Sequence, residues 1–452
     1  MRIKFTSINY YKLILIHIGL APILLYLTFL DKIFGIALIV LGYLYVVRNQ
    51  NRNEEALYVA GYMVGIEVFL KMTNSSLVYE IGKYSVIGFL ILGMYYKGFS
   101  KNAGIYWLFL IILTPGLIIA SYNLNFDTVI RKTMAFNISG PVCLGISSIY
   151  CYRRKFTLKQ LTNLLLVMGL PVVSIVTVMF LVAPVVKDYV RGTASNVSTS
   201  GNWAANQVAT IVGLGLFCFF VRILFNSKEK MVLLLNFVIV LIFSFRGIAT
   251  FSRGGIFTSF FMIIILTLIV YAISNSRVKF NILKGVIISA IVLFGLWTYT
   301  SIQTNGMINK RYANQDPSGK EKASKFTGRE VIFDEEIKFF LENPFFGIGV
   351  GKSREARLDD TGIDAASHSE LSRMLSEHGA LGILGLLILF MTPLILYIDN
   401  KEHIFLIPFF IFWFFTINHA AMRLAAPAFV YALTLLKVQF NEEPALHREQ
   451  TV

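Results

Sequence analysis

About fourteen apolar runs dominate the chain, near 12–30, 33–47, 56–70, 81–96, 104–120, 134–152, 161–186, 203–224, 231–249, 254–275, 282–300, 379–398, 404–420 and 422–438. A helix that crosses a bilayer needs about 20 mostly apolar residues. Inside hydrocarbon no water reaches the backbone, so every N–H and C=O must be satisfied within the segment. Apolar residues make up 56% of the 452 positions and charged residues only 15%, against about 25% charged in soluble domains. No soluble core can enclose that much Phe, Leu and Ile. The sequence therefore predicts an all-α integral membrane protein, a polytopic bundle of about 12–14 transmembrane helices with one large polar loop between residues 301 and 376. The domain reading is an N-terminal transmembrane bundle (1–300), a loop domain (301–378), C-terminal transmembrane helices (379–440) and a tail (441–452). The apolar stretch from Lys12 to Leu30 has no small-residue cleavage site after it and reads as a retained first span. Cys143, Cys151 and Cys218 lie in or beside apolar runs and form neither a disulfide framework nor a metal-ligand spacing.

The short loops set the orientation. Arg48 and Arg52, Lys97 and Lys101, Arg153-Arg154-Lys155, Lys228 and Lys230, then Arg277 and Lys279 follow alternate spans. Cytoplasmic loops carry the excess of Lys and Arg, which puts these loops and both termini inside and the long loop outside. The outward segments are nearly bare of basic residues, with three exceptions. Arg191 lies in a polar loop (187–202), Arg246 and Arg253 bracket a turn, and eleven more basic residues lie in 301–376. The net charge of +15 thus has two sources, topology and an outward surface suited to an anion.

Two short helices are expected in the long loop. Thr327-Gly328-Arg329-Glu330 has the form of a capping box, with Arg329 in the first turn. Ser367-His368-Ser369-Glu370 has the same form, with His368 as first helical residue and Gly379 as the stop. The positive end of a helix disfavours an imidazolium, so a histidine there stays neutral and able to accept a proton. Between them, Gly347, Gly349 and Gly351 alternate in a segment that reads as a turn or as a cradle for phosphate. Asp359, Asp360 and Asp364 read as a solvated acidic turn, since a hard-cation site needs several oxygens at fixed spacing. Structural readings are expected for Arg246 and His378, while His17, His403 and His447 are expected to face lipid or cytoplasm.

The segment from Gly328 to Gly385, with Arg329, "ENPFFGIGVG" and "SHSELSRMLSEHGALGILG", resembles the O-antigen ligase and polymerase superfamily. "YVRGTASNVSTSGNWAANQVA" (189–209) is similar to the family's outward loop, and "FSRGGIFTSFF" (251–261) to its Ser-Arg-Gly motif opening a span. The chain departs from the family in having Ser369 where Asn usually follows the loop histidine. The resemblance implies a bacterial inner-membrane glycosyltransferase acting at the periplasmic face, inverting and metal-independent. Its implied donor is a glycan on undecaprenyl pyrophosphate. Its acceptor is a sugar of lipid A core for a ligase, or another carrier-linked unit for a polymerase. His368 would be the base, and Arg191, Arg253 and Arg329 would hold the pyrophosphate. Glu370, Arg373, Asn202 and Gly349 are supporting candidates. No cofactor, no metal ligand and no nucleic-acid partner is implied, and membrane lipids surround the bundle. A transporter of lipid-linked glycans is the more distant alternative. Transporters place ionisable groups near the midplane, where Glu67 is the chief acidic residue here.

Overall fold

The computed structural model describes residues 7–227, 229–322 and 329–440. Each of the fourteen apolar runs is helical. In chain order the helices are α1 (Ser7–Tyr26), α2 (Asp31–Asn49), α3 (Glu55–Met72), α4 (Ile81–Lys97), α5 (Gly104–Ile112), α6 (Thr114–Asn123), α7 (Ile130–Cys151) and α8 (Leu158–Val182). There follow α9 (Val186–Tyr189), α10 (Ala205–Phe225), α11 (Lys230–Ala249), α12 (Arg253–Ile273) and α13 (Ser276–Gln303). The remainder are α14 (Met307–Tyr312), α15 (Arg329–Glu342), α16 (Lys352–Thr361), α17 (Glu370–Ile398), α18 (Leu406–Ile417) and α19 (Ala425–Leu433). Ten helical segments among the described residues are long and apolar enough to cross a membrane, with α5 and α6 forming one broken span. This is the all-α polytopic membrane architecture expected.

The helices alternate in direction, and packing collects their ends on two faces. On one face Arg154 bonds the Glu54 carboxylate (3.3 Å) and the Gly98 carbonyl (2.8 Å). There a parallel pair of three-residue strands joins β1 (Lys155–Thr157) to β2 (Lys437–Gln439). The basic loops of 48–55, 97–101 and 153–157 therefore share one end with the end of α19. The opposite end carries the 183–204 segment, the 249–252 turn, the long loop and the 418–424 turn.

Glu67 sits at the heart of the bundle on α3. Its carboxylate pairs with Lys71 at 2.9 Å and accepts the Ala425 N–H of α19 at 2.8 Å. A buried charge held by a cation and a helix N-terminus is a structural tie between two helices. Arg246 is likewise structural, donating to the Ala183 carbonyl (2.8 Å) and lying 3.8 Å over the Phe180 ring. His17 differs from expectation. It is buried between α1 and α3, its ring nitrogens 2.7 Å from the Leu13 carbonyl and 3.2 Å from the Tyr62 hydroxyl.

Candidate active site

α15 is helical from Arg329 to Glu342, and the expected capping residue Thr327 lies outside the described residues. The second helix is capped two residues later than its sequence suggests, by a single side-chain cap rather than a box. Ser369 is the N-cap, taking the Ser372 N–H, and α17 begins at Glu370. Ser367 is diverted because its hydroxyl donates to the buried Glu336 carboxylate (3.2 Å) and to the Ser369 carbonyl (2.9 Å). His368 consequently lies before the helix and not in its first turn. Gly379 breaks the helical path with φ 61 and ψ −137, so a loop helix runs into a spanning helix with no connecting loop.

His368 is fixed from both sides. Behind it, Glu336 on α15 also accepts from Ser372 (2.5 Å) and pairs with the buried Arg357 (3.5 Å). Arg357 donates in turn to the Ala365 carbonyl. In front, Arg423 donates to the Ser367 carbonyl (2.7 Å), and the Ala421 N–H reaches the His368 carbonyl (3.2 Å). Burial lifts the Glu336 carboxyl above the ordinary range, with Ser372, Arg357 and Ser367 opposing the rise. The imidazole Nδ1 is buried without a hydrogen-bond partner among the described residues. Nε2 has no hydrogen bond to a described residue and is the open nitrogen. Burial first, then Arg423, Arg329, His419 and Arg357, lower the ring to about 4. The ring is therefore neutral at pH 7, as expected, but burial and a field of cations cause it, rather than a helix terminus.

That cationic field comes from distant segments. Arg253 opens α12, and its charge and burial together hold Arg329 below its ordinary value. His419 packs on Gly254, one residue along, with its Nε2 3.2 Å from the Thr210 hydroxyl. Among the described residues, neither Arg253 nor Arg329 has a hydrogen bond or a carboxylate partner. Guanidiniums without a carboxylate partner are suited to meeting an anion of several oxygens.

The other sequence candidates fall in different places. Arg191 is exposed on its loop and lines an open cavity of about 470 Å³ with Asp188, Tyr189, Ser195 and Asn196. That loop docks on the α11–α12 turn through the Asn196 N–H, which donates to the Thr250 carbonyl (3.0 Å). Asn202 is exposed, in a left-handed turn, and touches none of these groups. Glu370 and Arg373 are buried and paired with each other. Glu370 takes the Met422 N–H (3.3 Å) and Arg373 donates to the Asn137 carbonyl (2.8 Å), so they brace the turn that carries Arg423.

Gly349 is not a phosphate ligand. The N–H groups of Ile348, Gly349, Val350 and Gly351 are spent on Ser376, Glu377, Gly116 and the Glu377 carboxylate. Its φ of +99 and an α6 backbone that a Cβ would meet at 2.7 Å explain the glycine. The acidic segment contributes to α16, a polar helix absent from the sequence reading. Asp360 pairs with Lys338 (2.8 Å) and Asp364 with Arg354 (2.5 Å). His378 is buried against Gly116 in the bundle.

Four site residues escaped the sequence reading: Glu336, Arg357, His419 and Arg423. For Arg423 a signal existed, since a charge inside an apolar run marks a functional position.

The fold and site define a multi-pass membrane protein with a histidine set among arginine charges at its loop segments. Residues 237–388, roughly a third of the chain, match the family model described as O-antigen ligase. The match spans Arg253, Arg329 and His368, and it supports membership of the O-antigen ligase and polymerase superfamily. No curated protein matches the chain. The family match supports a glycan-processing function of ligase or polymerase type.

Proposed function

We propose that the chain is a bacterial inner-membrane glycosyltransferase that moves a glycan from undecaprenyl pyrophosphate to a hydroxyl of lipid A core, at the periplasmic face. The carrying observation is the juxtaposition of a neutral, doubly anchored His368 with unpartnered arginines at the end of the bundle opposite the basic loops. The positive-inside rule makes that end the outward one.

A sugar hydroxyl is a weak nucleophile. Nε2 of His368 accepts its proton as the oxygen attacks the anomeric carbon, for a gain of about 10²–10⁴-fold. The bond to the diphosphate oxygen breaks on the opposite side, inverting the centre. Arg253 and Arg329 take up the charge that develops on the departing diphosphate, as an oxyanion site does. Arg191 approaches the donor from the adjoining loop. In this reading guanidiniums do the work for which other enzymes use a divalent cation, and the reaction proceeds without metal. The arriving diphosphate also offsets the arginine field, which raises the basicity of His368 when donor is bound.

The same chemistry serves a repeat-unit polymerase, with a carrier-linked glycan as acceptor. A lipopolysaccharide gel of a deletion strain tests the reading. Bare lipid A core with accumulated carrier-linked polymer is the expected ligase result. Core capped by a single repeat unit would instead assign a polymerase, and unaltered ladders would refute both.

A further inference from the structure

Arg311 lies on α14, between the segments 251–261 and 328–385 that carry the resemblance and in neither of them. Its side chain is buried, and its Nε donates to the Phe251 carbonyl at 3.1 Å. Phe251 adopts a left-handed conformation (φ 59), and α12 begins with Arg253 two residues later. One bond thus couples Arg311 to the turn that presents Arg253. The neighbouring Tyr312 is wedged against Phe257 of α12 and Trp297 of α13, with ring centroids 5.6 and 4.9 Å apart, so α14 is clamped in place. Beneath it, Val186, Val190, Ala249, Phe251 and Ile308 form a small apolar cluster that seats both the Arg191 loop and this turn.

With Nε committed, the two terminal nitrogens of Arg311 make no hydrogen bond to a described residue. Burial first, then the charges of Arg253 and Arg329, hold Arg311 below its ordinary value, and burial followed by the charges of Arg311 and Arg253 does the same to Lys322. Only Asp316 among the described carboxylates acts on this group, and it does so through Lys322. Like charges held together on a rigid frame repel, and the arrangement is relieved by an anion with several oxygens. A diphosphate supplies six terminal and ester oxygens across two centres, more than two arginine forks can satisfy.

We propose that Arg311 is a third diphosphate-binding residue, completing a clamp with Arg253 and Arg329 that recognises two linked phosphates rather than one. The inference rests on the donor reading above and names the residue that sets its headgroup specificity. With Nε bound to the Phe251 carbonyl, the pair of terminal N–H groups that matches a phosphate edge carries no hydrogen bond to a described residue.

The test uses the full-length protein purified in detergent, with geranyl pyrophosphate and geranyl monophosphate as probes, by calorimetry. Wild-type protein is expected to bind the diphosphate at least tenfold more tightly than the monophosphate. Arg311→Ala should lose most of that preference, with monophosphate binding changed by no more than about twofold. Arg311→Lys keeps the charge but cannot both hold the Phe251 carbonyl and present a fork, and should fall between. An Arg311→Ala protein with wild-type gel filtration and ligand-free melting that keeps the full diphosphate preference overturns the inference. If that variant does not fold, full preference in Arg311→Lys overturns it instead. Failure of the wild type to bind geranyl pyrophosphate at all would sink the diphosphate reading of the whole site, a separable result.

Discussion

Glu336→Ala removes the post against which His368 is braced. Glu336 is fully buried, accepts hydroxyls from Ser367 (3.2 Å) and Ser372 (2.5 Å), and balances Arg357 at 3.5 Å. Deleting one member of a buried ion pair leaves the other charge uncompensated, typically at about 3–5 kcal/mol. Here the loss falls on the contacts between α15, α16 and the 365–372 segment, so it loosens the loop domain before the bundle. A shift of about 1 Å in a catalytic group costs about 10²-fold in rate. The expected phenotype is therefore a fall in kcat of about 10²-fold with a smaller loss of donor binding, because Arg253 stands on α12 while Arg329 shares α15 with Glu336. Glu336→Gln keeps an acceptor for the two serines but not the charge, and should retain more activity than the alanine variant. Transfer is measured with purified protein in liposomes, from carrier-linked glycan to lipid A core, alongside a limited-proteolysis time course of the loop. Wild-type turnover in Glu336→Ala, with unchanged cleavage, would refute the claim that this carboxylate positions the base.

His368→Ala should abolish transfer while leaving geranyl pyrophosphate binding intact, whereas Arg253→Ala and Arg329→Ala should weaken that binding; full turnover in the histidine variant would remove it from the mechanism. Because the free ring sits near 4, donor-free kcat/KM should hold steady down to about pH 5 and fall as pH drops through about 4, when the base protonates. Arg423→Gln, which removes the largest charge depressing the ring, should move that acid limb upward toward the ordinary histidine value near 6.5; an unmoved limb would mean that His368 is not the titrating base. Asp359→Ala and Asp360→Ala should leave activity within about twofold, and treatment with a chelator should do the same, since Asp360 serves an exposed pair with Lys338. Gly349→Ala should destabilise the protein by at least about 1–3 kcal/mol through its left-handed backbone, visible as a lower melting temperature, while phosphate-probe affinity per folded molecule stays unchanged.

The bundle was legible in the sequence because a bilayer makes it a one-dimensional problem. Each span must satisfy its own backbone, so composition over about 20 residues declares it, and even the short α18 and α19 carry that mark. α15 was legible for a related reason: its apolar positions recur at helical period. α16, reading KSREARLDDT, has no apolar stripe and escaped; packing against α15 and α17 makes it a helix. The cap of α17 moved from Ser367 to Ser369 because Glu336, thirty-one residues away, competes for the Ser367 hydroxyl. Gly349 shows the converse, a motif with two readings that only the partners of its neighbouring N–H groups decide between.

The sequence by itself determined that this chain lives in a membrane, which loops carry the inside charge, and that His368, Arg253 and Arg329 deserve consideration together. Only the tertiary structure decided which cations reach the histidine. Arg423, Arg329 and Arg357 act on it and His419 lies close by, whereas Gly349 turns its N–H to the Glu377 carbonyl. Hydropathy is summed along the chain, whereas an anion site is summed over charges that packing brings together from α12, α14, α15 and the α18–α19 turn. Nothing in the local sequence of any one of these segments records that meeting.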